Sequence, residues 1–298
     1  MATNTGSGLN KCLILKSAIC SVILGSLLFA ISSNQASAVV VDINQPEGMQ
    51  ISDTVTAPRG ANQLMNNATE NATTNIVLVH GKWVDGSSWS KVIPILEKAG
   101  YKVIAVQLAL HSLEDDVATV KRAISLVGGP VTLVAHSYGG FVITNAAYNN
   151  KNVTGLVYVA AHAPKEGQSS SDLVPASFYP KGFLITDSGG FVYINRTQFH
   201  DRFAQDVNPA ETSVMATVQK PFNHSINTEK SGPPAWKQLP TWYQISENDR
   251  IIPPDLERQY AKQMNATTIS LPSSHASLVS HPKEIAQLIL NATKGSTK

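Results

Sequence analysis

The run Val131-Thr132-Leu133-Val134-Ala135-His136-Ser137-Tyr138-Gly139-Gly140 constrains this chain most. An apolar stretch runs into a small-x-Ser-x-Gly turn, and a second apolar segment follows at once. The pattern predicts a buried strand, a tight elbow and a helix. Such an elbow lifts the Ser137 hydroxyl clear of the sheet edge and leaves the next amides at a helix N-terminus, where negative charge is favoured. Small residues are expected at Ala135 and Gly139 because strand and helix backbones nearly touch there. A Gly-rich strand-to-helix loop with an incidental serine fits the same residues, so the rest of the chain must decide.

A serine is a poor nucleophile at neutral pH unless a base takes its proton, so a histidine and an orienting carboxylate should end later strands. Thr241–Ile245 reads as a strand and is followed by Ser246-Glu247-Asn248-Asp249-Arg250-Ile251-Ile252-Pro253-Pro254; Thr267–Leu271 is followed by Pro272-Ser273-Ser274-His275-Ala276. His275 is the expected base. Asp249 is the preferred acid over Glu247, and over Asp115 and Asp116, which open a helix before the serine and are expected to cap it. The oxyanion donors are expected from the Tyr138 amide and, in the loop His80-Gly81-Lys82-Trp83 after the strand 75–79, from the Lys82 amide. His80 is read as a packing histidine that shapes this loop.

These residues give the chain its resemblance. From about Asn75 to the C-terminus it resembles the α/β-hydrolases, in particular a bacterial esterase group related to plant methylesterases and hydroxynitrile lyases. The segments that carry the resemblance are His80-Gly81 with Asp85-Gly86-Ser87-Ser88-Trp89, Ala135 to Gly140, Val157-Tyr158-Val159-Ala160-Ala161, Asp249-Arg250-Ile251-Ile252-Pro253 and Ser274-His275. The order Ser137, Asp249, His275 is that of this fold rather than of the chymotrypsin or subtilisin scaffolds. The choice of Asp249 two residues after Glu247 also follows the family pattern. Two positions depart from it: Ala135 replaces the commoner glycine, and Lys82 stands where a small residue is usual and would contribute its backbone. The resemblance implies an α/β-hydrolase fold with a lid and a Ser-His-Asp esterase acting on small or medium, apolar carboxylic esters, without cofactor or metal. Two rivals stay open, a hydroxynitrile lyase and a non-catalytic binding protein. The plant lyases carry a threonine where this chain has Gly81 and a lysine where it has Ala276, and a binding protein on this scaffold usually has a degraded triad.

Strands and helices alternate from residue 75 to about 163, which predicts a mostly parallel sheet covered on both faces. Helices are expected over Trp89–Ala99, Leu113–Val127 and from the elbow through Tyr148, and strands at Val103–Val106 and Val153–Ala160. Between Pro164 and Pro240 the alternation fails, too long a stretch for a plain connection. A lid at about 165–240 is expected, with helices near Thr197–Gln205 and Pro209–Gln219. Its aromatics either line the acyl or alcohol pocket or pack on the core. His162, His200 and His224 show no metal-ligand spacing and are expected to play surface or lid roles.

The N-terminus adds an address. Residues 1–38 hold Lys11 and Lys16, an apolar segment from Ile19 to Ile31 and Ala36-Ser37-Ala38, the layout of a signal peptide. A membrane anchor is the alternative, but the apolar core is short for a span. A secreted or periplasmic enzyme is expected, with residues 39–74 as a leader and 75–298 as the hydrolase domain. Cleavage would remove two of the 23 basic residues and none of the 21 acidic ones, which leaves no basic surplus for nucleic acid or anionic lipid. It would also remove Cys12 and Cys20, the two cysteines, and with them any disulfide or thiol nucleophile.

Overall fold

A computed structural model describes residues 75–295. The expectations for residues 1–38 and 39–74 lie outside the described residues. Strands β1 (Asn75–Val79) and β2 (Val103–Ala105) flank helix α1 (Ile93–Lys98), and helix α2 (Leu113–Val127) leads to strand β3 (Val131–His136). The elbow follows, then helix α3 (Gly139–Ala146) and strand β4 (Val153–Val159). After a long excursion come strand β8 (Thr241–Ser246), helix α7 (Pro254–Gln263), strand β9 (Thr267–Leu271), and helices α8 (Ser277–Ser280) and α9 (Pro282–Gly295). The six strands form one sheet in the order β2-β1-β3-β4-β8-β9, and every pairing is parallel.

Parallel strands need both faces covered, and their sequences show it. Residues of β1 and β3 are buried without alternation, as in strands clad by helices on either side. Helix α2 is capped by Ser112, whose side chain accepts from the Asp115 amide, and ends at Gly128 with φ of 58°. The helix expected over Trp89–Ala99 is shorter. Asp85 instead caps a 3-10 turn at Gly86–Trp89, and α1 begins at Ile93, which puts Pro94 in the first turn where its missing N–H costs no hydrogen bond.

The chain runs outward from β1 to β2 and returns past β1 to β3, so the connections after β1 and β3 leave the sheet in opposite directions. The crevice between them is where open α/β sheets bind ligands. Register fixes the neighbours: Val79 pairs with Ala135, so Gly81 and Ser137 emerge side by side. A Cβ on Gly81 would lie 2.5 Å from the Ser137 Cβ, which accounts for glycine there. At Gly139 helix and strand backbones nearly touch, as expected, and the strand is the neighbouring β1. Its Cβ would meet the carbonyl oxygens of Val79 and His80 at 2.8 Å, so helix α3 presses on the end of β1 and not on its own strand.

The excursion between β4 and β8 holds helix α4 (Ser170–Leu173), strands β5 (Leu184–Thr186) and β6 (Phe191–Ile194), helices α5 (Arg196–Phe203) and α6 (Pro209–Val218), and strand β7 (Phe222–Asn223). β5, β6 and β7 form a small antiparallel sheet, the part of the molecule that departs from parallel pairing. Both helices start from asparagine caps, Asn195 and Asn208, close to the expected limits.

Candidate active site

Ser137 sits at φ of 56°, a left-handed conformation that is strained for a non-glycine residue and costs about 1–3 kcal/mol. The strain is held by the buried apolar face of α3, which includes Phe141, Val142 and Ile143, and by the bond from the His162 amide to the Ser137 carbonyl at 3.1 Å. The Ser137 hydroxyl donates to His275 Nε2 at 2.8 Å, and His275 Nδ1 donates to Asp249 Oδ2 at 2.5 Å. The side chains of His275 and Asp249 are fully buried.

Asp249 reaches this position through its own loop. Its Oδ1 accepts from the amides of Ile251 at 2.6 Å and Ile252 at 2.9 Å, the local turn chemistry of aspartate. Hydrogen bonds past the ends of β8 and β9, Glu247 N–H to Leu271 and Asn248 N–H to Ser273, carry the two loops onward side by side. Glu247 lies elsewhere: it is on the surface, paired with Arg258 at 2.6 Å and Ser270 at 2.8 Å. Among the described residues, neither the Lys82 nor the Tyr138 amide donates to a protein acceptor, so both remain available beside Ser137.

Several neighbours were not legible as partners. His136 Nε2 donates to the His275 carbonyl at 2.8 Å, and burial holds its pKa well below the usual value, so the ring is neutral. His80 is fully buried; its Nε2 accepts from the Leu108 amide at 2.9 Å and its Nδ1 donates to the Gly81 carbonyl at 2.8 Å, while burial lowers its pKa to about 4. It shapes the loop as expected. Asp116, by contrast, does not cap α2. It is fully buried, accepting from the Leu110 amide at 3.0 Å and from the Tyr138 hydroxyl at 3.1 Å. The cap belongs to Ser112, leaving Asp116 one turn inside to reach the elbow.

His162 is also misplaced by sequence reasoning. It is buried at the site, its Nδ1 is 3.1 Å from the Tyr260 hydroxyl, and burial followed by the charges of Lys82 and His275 lowers its pKa to about 3. His224 lines the same cavity, whereas His200 bonds Thr212 at 3.0 Å and ties α5 to α6. No group of three or more metal-ligating side chains occurs among the described residues.

The cavity holding Ser137 measures about 90 Å³. Drug-sized ligands occupy sites of roughly 300–1,000 Å³. Trp83, Tyr179, Leu184, Phe222 and Ile251 form an apolar wall, and Lys82, Ser170 and Asn227 form a polar one. Phe183, Phe199 and Phe203 are fully buried instead, and Phe203 packs edge-to-face with the His275 ring, their centres 5.0 Å apart. Trp236 donates to the Pro164 carbonyl at 3.0 Å and packs in the core. A separate groove of about 310 Å³ lies on the other side of Trp83, against Glu211, Val214 and Val218 of α6.

Residues 76–288 match the family model described as "Alpha/beta hydrolase family". The chain belongs to the α/β-hydrolase family. It is 26% identical over 246 residues to the pyrethroid hydrolase of Sphingobium wenxiniae, covering 72% of this chain and 86% of that one. Methylesterase 2 of Arabidopsis thaliana is 26% identical over 215 residues, covering 62% and 81% respectively. An extracellular α/β-hydrolase from a Paenibacillus species, described as sharing structural and functional homology with tobacco salicylic acid binding protein 2, superposes with a TM-score of 0.65 at 22% identity. That match covers 74% of this chain and 98% of the other, and it shows the fold. Hydrolase membership and kinship with an esterase group that includes plant methylesterases are thus established, and no helix among the described residues is long and apolar enough to cross a membrane.

Proposed function

We propose that this α/β-hydrolase is a serine carboxylesterase in which Ser137 is the nucleophile, His275 the base and Asp249 the orienting acid. The observation that carries the reading is the unbroken chain from the Ser137 hydroxyl through His275 to Asp249, at 2.8 and 2.5 Å. His275 takes the Ser137 proton as Oγ attacks the ester carbonyl, and the Lys82 and Tyr138 amides hold the negative oxygen. The alcohol leaves with the proton from His275, and water activated by the same ring then releases the acid. Asp249 keeps the ring in the tautomer whose Nε2 is free to accept, and stabilises the imidazolium. The mechanism uses no metal or cofactor.

Ester cleavage is supported by the names of the relatives, a pyrethroid hydrolase and a methylesterase. The 90 Å³ cavity favours a small group on the side of the ester it encloses, and the excursion at about 165–240 acts as the lid that encloses it. The signal-like layout of residues 1–38 supports export, and on this reading the mature protein from its host should begin near Val39.

One observation favours a second reading. A hydroxynitrile lyase needs a cation near departing cyanide, and although Ala276 supplies none, the Lys82 ammonium lines the same cavity as Ser137. One experiment separates the two. A fluorophosphonate probe should add mass to the Ser137 peptide, the enzyme should turn over short-chain esters, and mandelonitrile should yield negligible cyanide. Cyanide release without ester hydrolysis selects the lyase, and folded protein with neither label nor turnover rejects both in favour of a binding protein.

A further inference from the structure

Lys82 does two things that a backbone donor need not do. Its side chain is buried at 6% exposure, and it turns into the cavity rather than out to water. There Nζ donates to Asn227 Oδ1 at 2.7 Å and to Ser170 Oγ at 3.3 Å, and it lies 4.4 Å from the Phe222 ring centre and 5.0 Å from that of Tyr138. All four partners are neutral, and among the described residues no carboxylate lies within ion-pair distance of Nζ. An ammonium has three N–H donors, so two neutral acceptors leave one unused.

A cation held this way is expensive, because burial strips its water while dipoles and ring faces return only part of the loss. Burial accordingly lowers its pKa to about 7, even with Asp116 and Glu229 close enough to pull it back up. A core position with no task would be filled at lower cost by an apolar side chain. The chain instead surrounds the amine with acceptors from two separate parts of the excursion, Ser170 on α4 and Asn227 in the turn after β7.

We propose that the Lys82 ammonium is the specificity group for an anionic oxygen, a carboxylate carried on the part of the ester that enters the Ser137 cavity. The inference rests on the esterase reading and narrows it. Ser137 and Nζ share a space of about 90 Å³, so a substrate there spans them with a few bonds: an ester whose acyl or alcohol part ends in a carboxylate, such as a half-ester of a short dicarboxylic acid or an acylated hydroxy acid. The substrate carboxylate takes the third N–H and neutralises the buried charge, while the carbonyl meets the Lys82 amide at the other end of the same residue. With Asn227 and Ser170 taking the other two N–H groups, every donor of the ammonium is then satisfied, the condition under which a buried pair repays its desolvation.

The test compares charged esters with neutral partners of the same shape: monomethyl succinate against methyl 4-methylpentanoate, and acetoxyacetate against isobutyl acetate, followed by pH-stat. At pH 6.5 the wild-type enzyme should favour at least one charged ester at least tenfold in kcat/KM, carried mostly by KM. Which pair shows the preference tells whether the carboxylate sits on the acyl or the alcohol side. The charged-to-neutral ratio should fall toward one in Lys82→Met, which retains the backbone amide. In the wild type it should also decline as pH rises through about 7, because kcat/KM reports ionisation of the free enzyme and the ammonium is lost above that value. The titratable groups facing Nζ are Asp116, Tyr138, His162, His224 and Glu229. His162 is neutral across this range, and a contribution from His224 would survive in Lys82→Met. Equal or weaker activity on both charged esters, or a preference untouched in Lys82→Met, overturns the inference while hydrolysis of the neutral esters leaves the esterase reading standing. No hydrolysis of any of the four strikes the esterase reading itself.

Discussion

The sheet and the excursion hold the same site by different means. On the sheet side, parallel register alone sets Gly81 against Ser137, and the loops after β8 and β9 run together until Asp249 meets His275. The excursion has strands of two to four residues and reaches the site through single long-range contacts. Asp206 accepts the amide of Ser274, next to His275, at 3.0 Å; Gln205 donates to the Asn248 carbonyl at 2.7 Å; and Arg250 pairs with Asp201 at 2.6 Å. Phe203 packs against His275 itself. A lid that only covers substrate would leave His275 indifferent to it, whereas this excursion buttresses the loop that carries His275, the proposed base.

The comparison breaks first where the proposed sheet-borne triad is cut. Ser137→Ala and His275→Ala should each lower kcat/KM by about three orders of magnitude or more, with a smaller loss for Asp249→Asn. Near-normal turnover of p-nitrophenyl esters by folded Ser137→Ala would remove the nucleophile from the mechanism. A strong loss in Glu247→Gln but not Asp249→Asn would move the acid. On the excursion side, Phe203→Ala removes a fully buried ring and should cost about 3–5 kcal/mol in denaturant unfolding, with kcat falling as His275 loses its edge contact. An effect on KM alone would return the excursion to a simple cover.

The same contrast explains what could be read beforehand. The elbow, the Asp249 loop and the His275 loop were legible because parallel strands impose apolar runs and each loop begins where its run stops; β9 and α2 fall on their expected limits. Asp116 and His162 were misread for one reason. A residue near the start of a helix or after a strand is expected at the surface, and only tertiary packing brings these two inside, against Tyr138 and Tyr260. For Lys82 the loop suggests a role for its amide, but the direction of its side chain depends on Ser170 and Asn227, which lie 88 and 145 positions away. No local pattern encodes such a partnership.

Asp206 offers a smaller and sharper test of the buttress. Asp206→Ala leaves the Ser274 amide without its charged acceptor, worth about 1.5–3 kcal/mol for a hydrogen bond to a charged group. Thermal unfolding should register part of this, and kcat should drop severalfold as the His275 loop loosens. Unchanged kcat with lowered stability would mean that the contact holds the excursion but not the base.

The smallest effect on turnover concerns a second carboxyl on the sheet side, behind Asp249. Glu257 on α7 is fully buried and accepts the Ser246 amide at 2.9 Å. Burial first, and then repulsion from Asp249, raises its pKa well above the usual carboxylate range. Asp249 has two backbone donors and His275, so the charge belongs on Asp249 and the proton on Glu257. The sign for stability follows. In the unfolded chain Glu257 ionises near pH 4.3, whereas the folded protein keeps its proton to higher pH. Between those limits the folded state binds more protons, so stability falls as pH rises, by up to about 1.4 kcal/mol per pH unit. Glu257→Gln keeps an acceptor for Ser246 and no longer titrates. Its melting temperature relative to wild type should therefore climb between pH 5 and pH 8, with little change in kcat at pH 7. A difference independent of pH would show that Glu257 is ionised beside Asp249, and the acid of the proposed triad would then be a shared pair rather than a single aspartate.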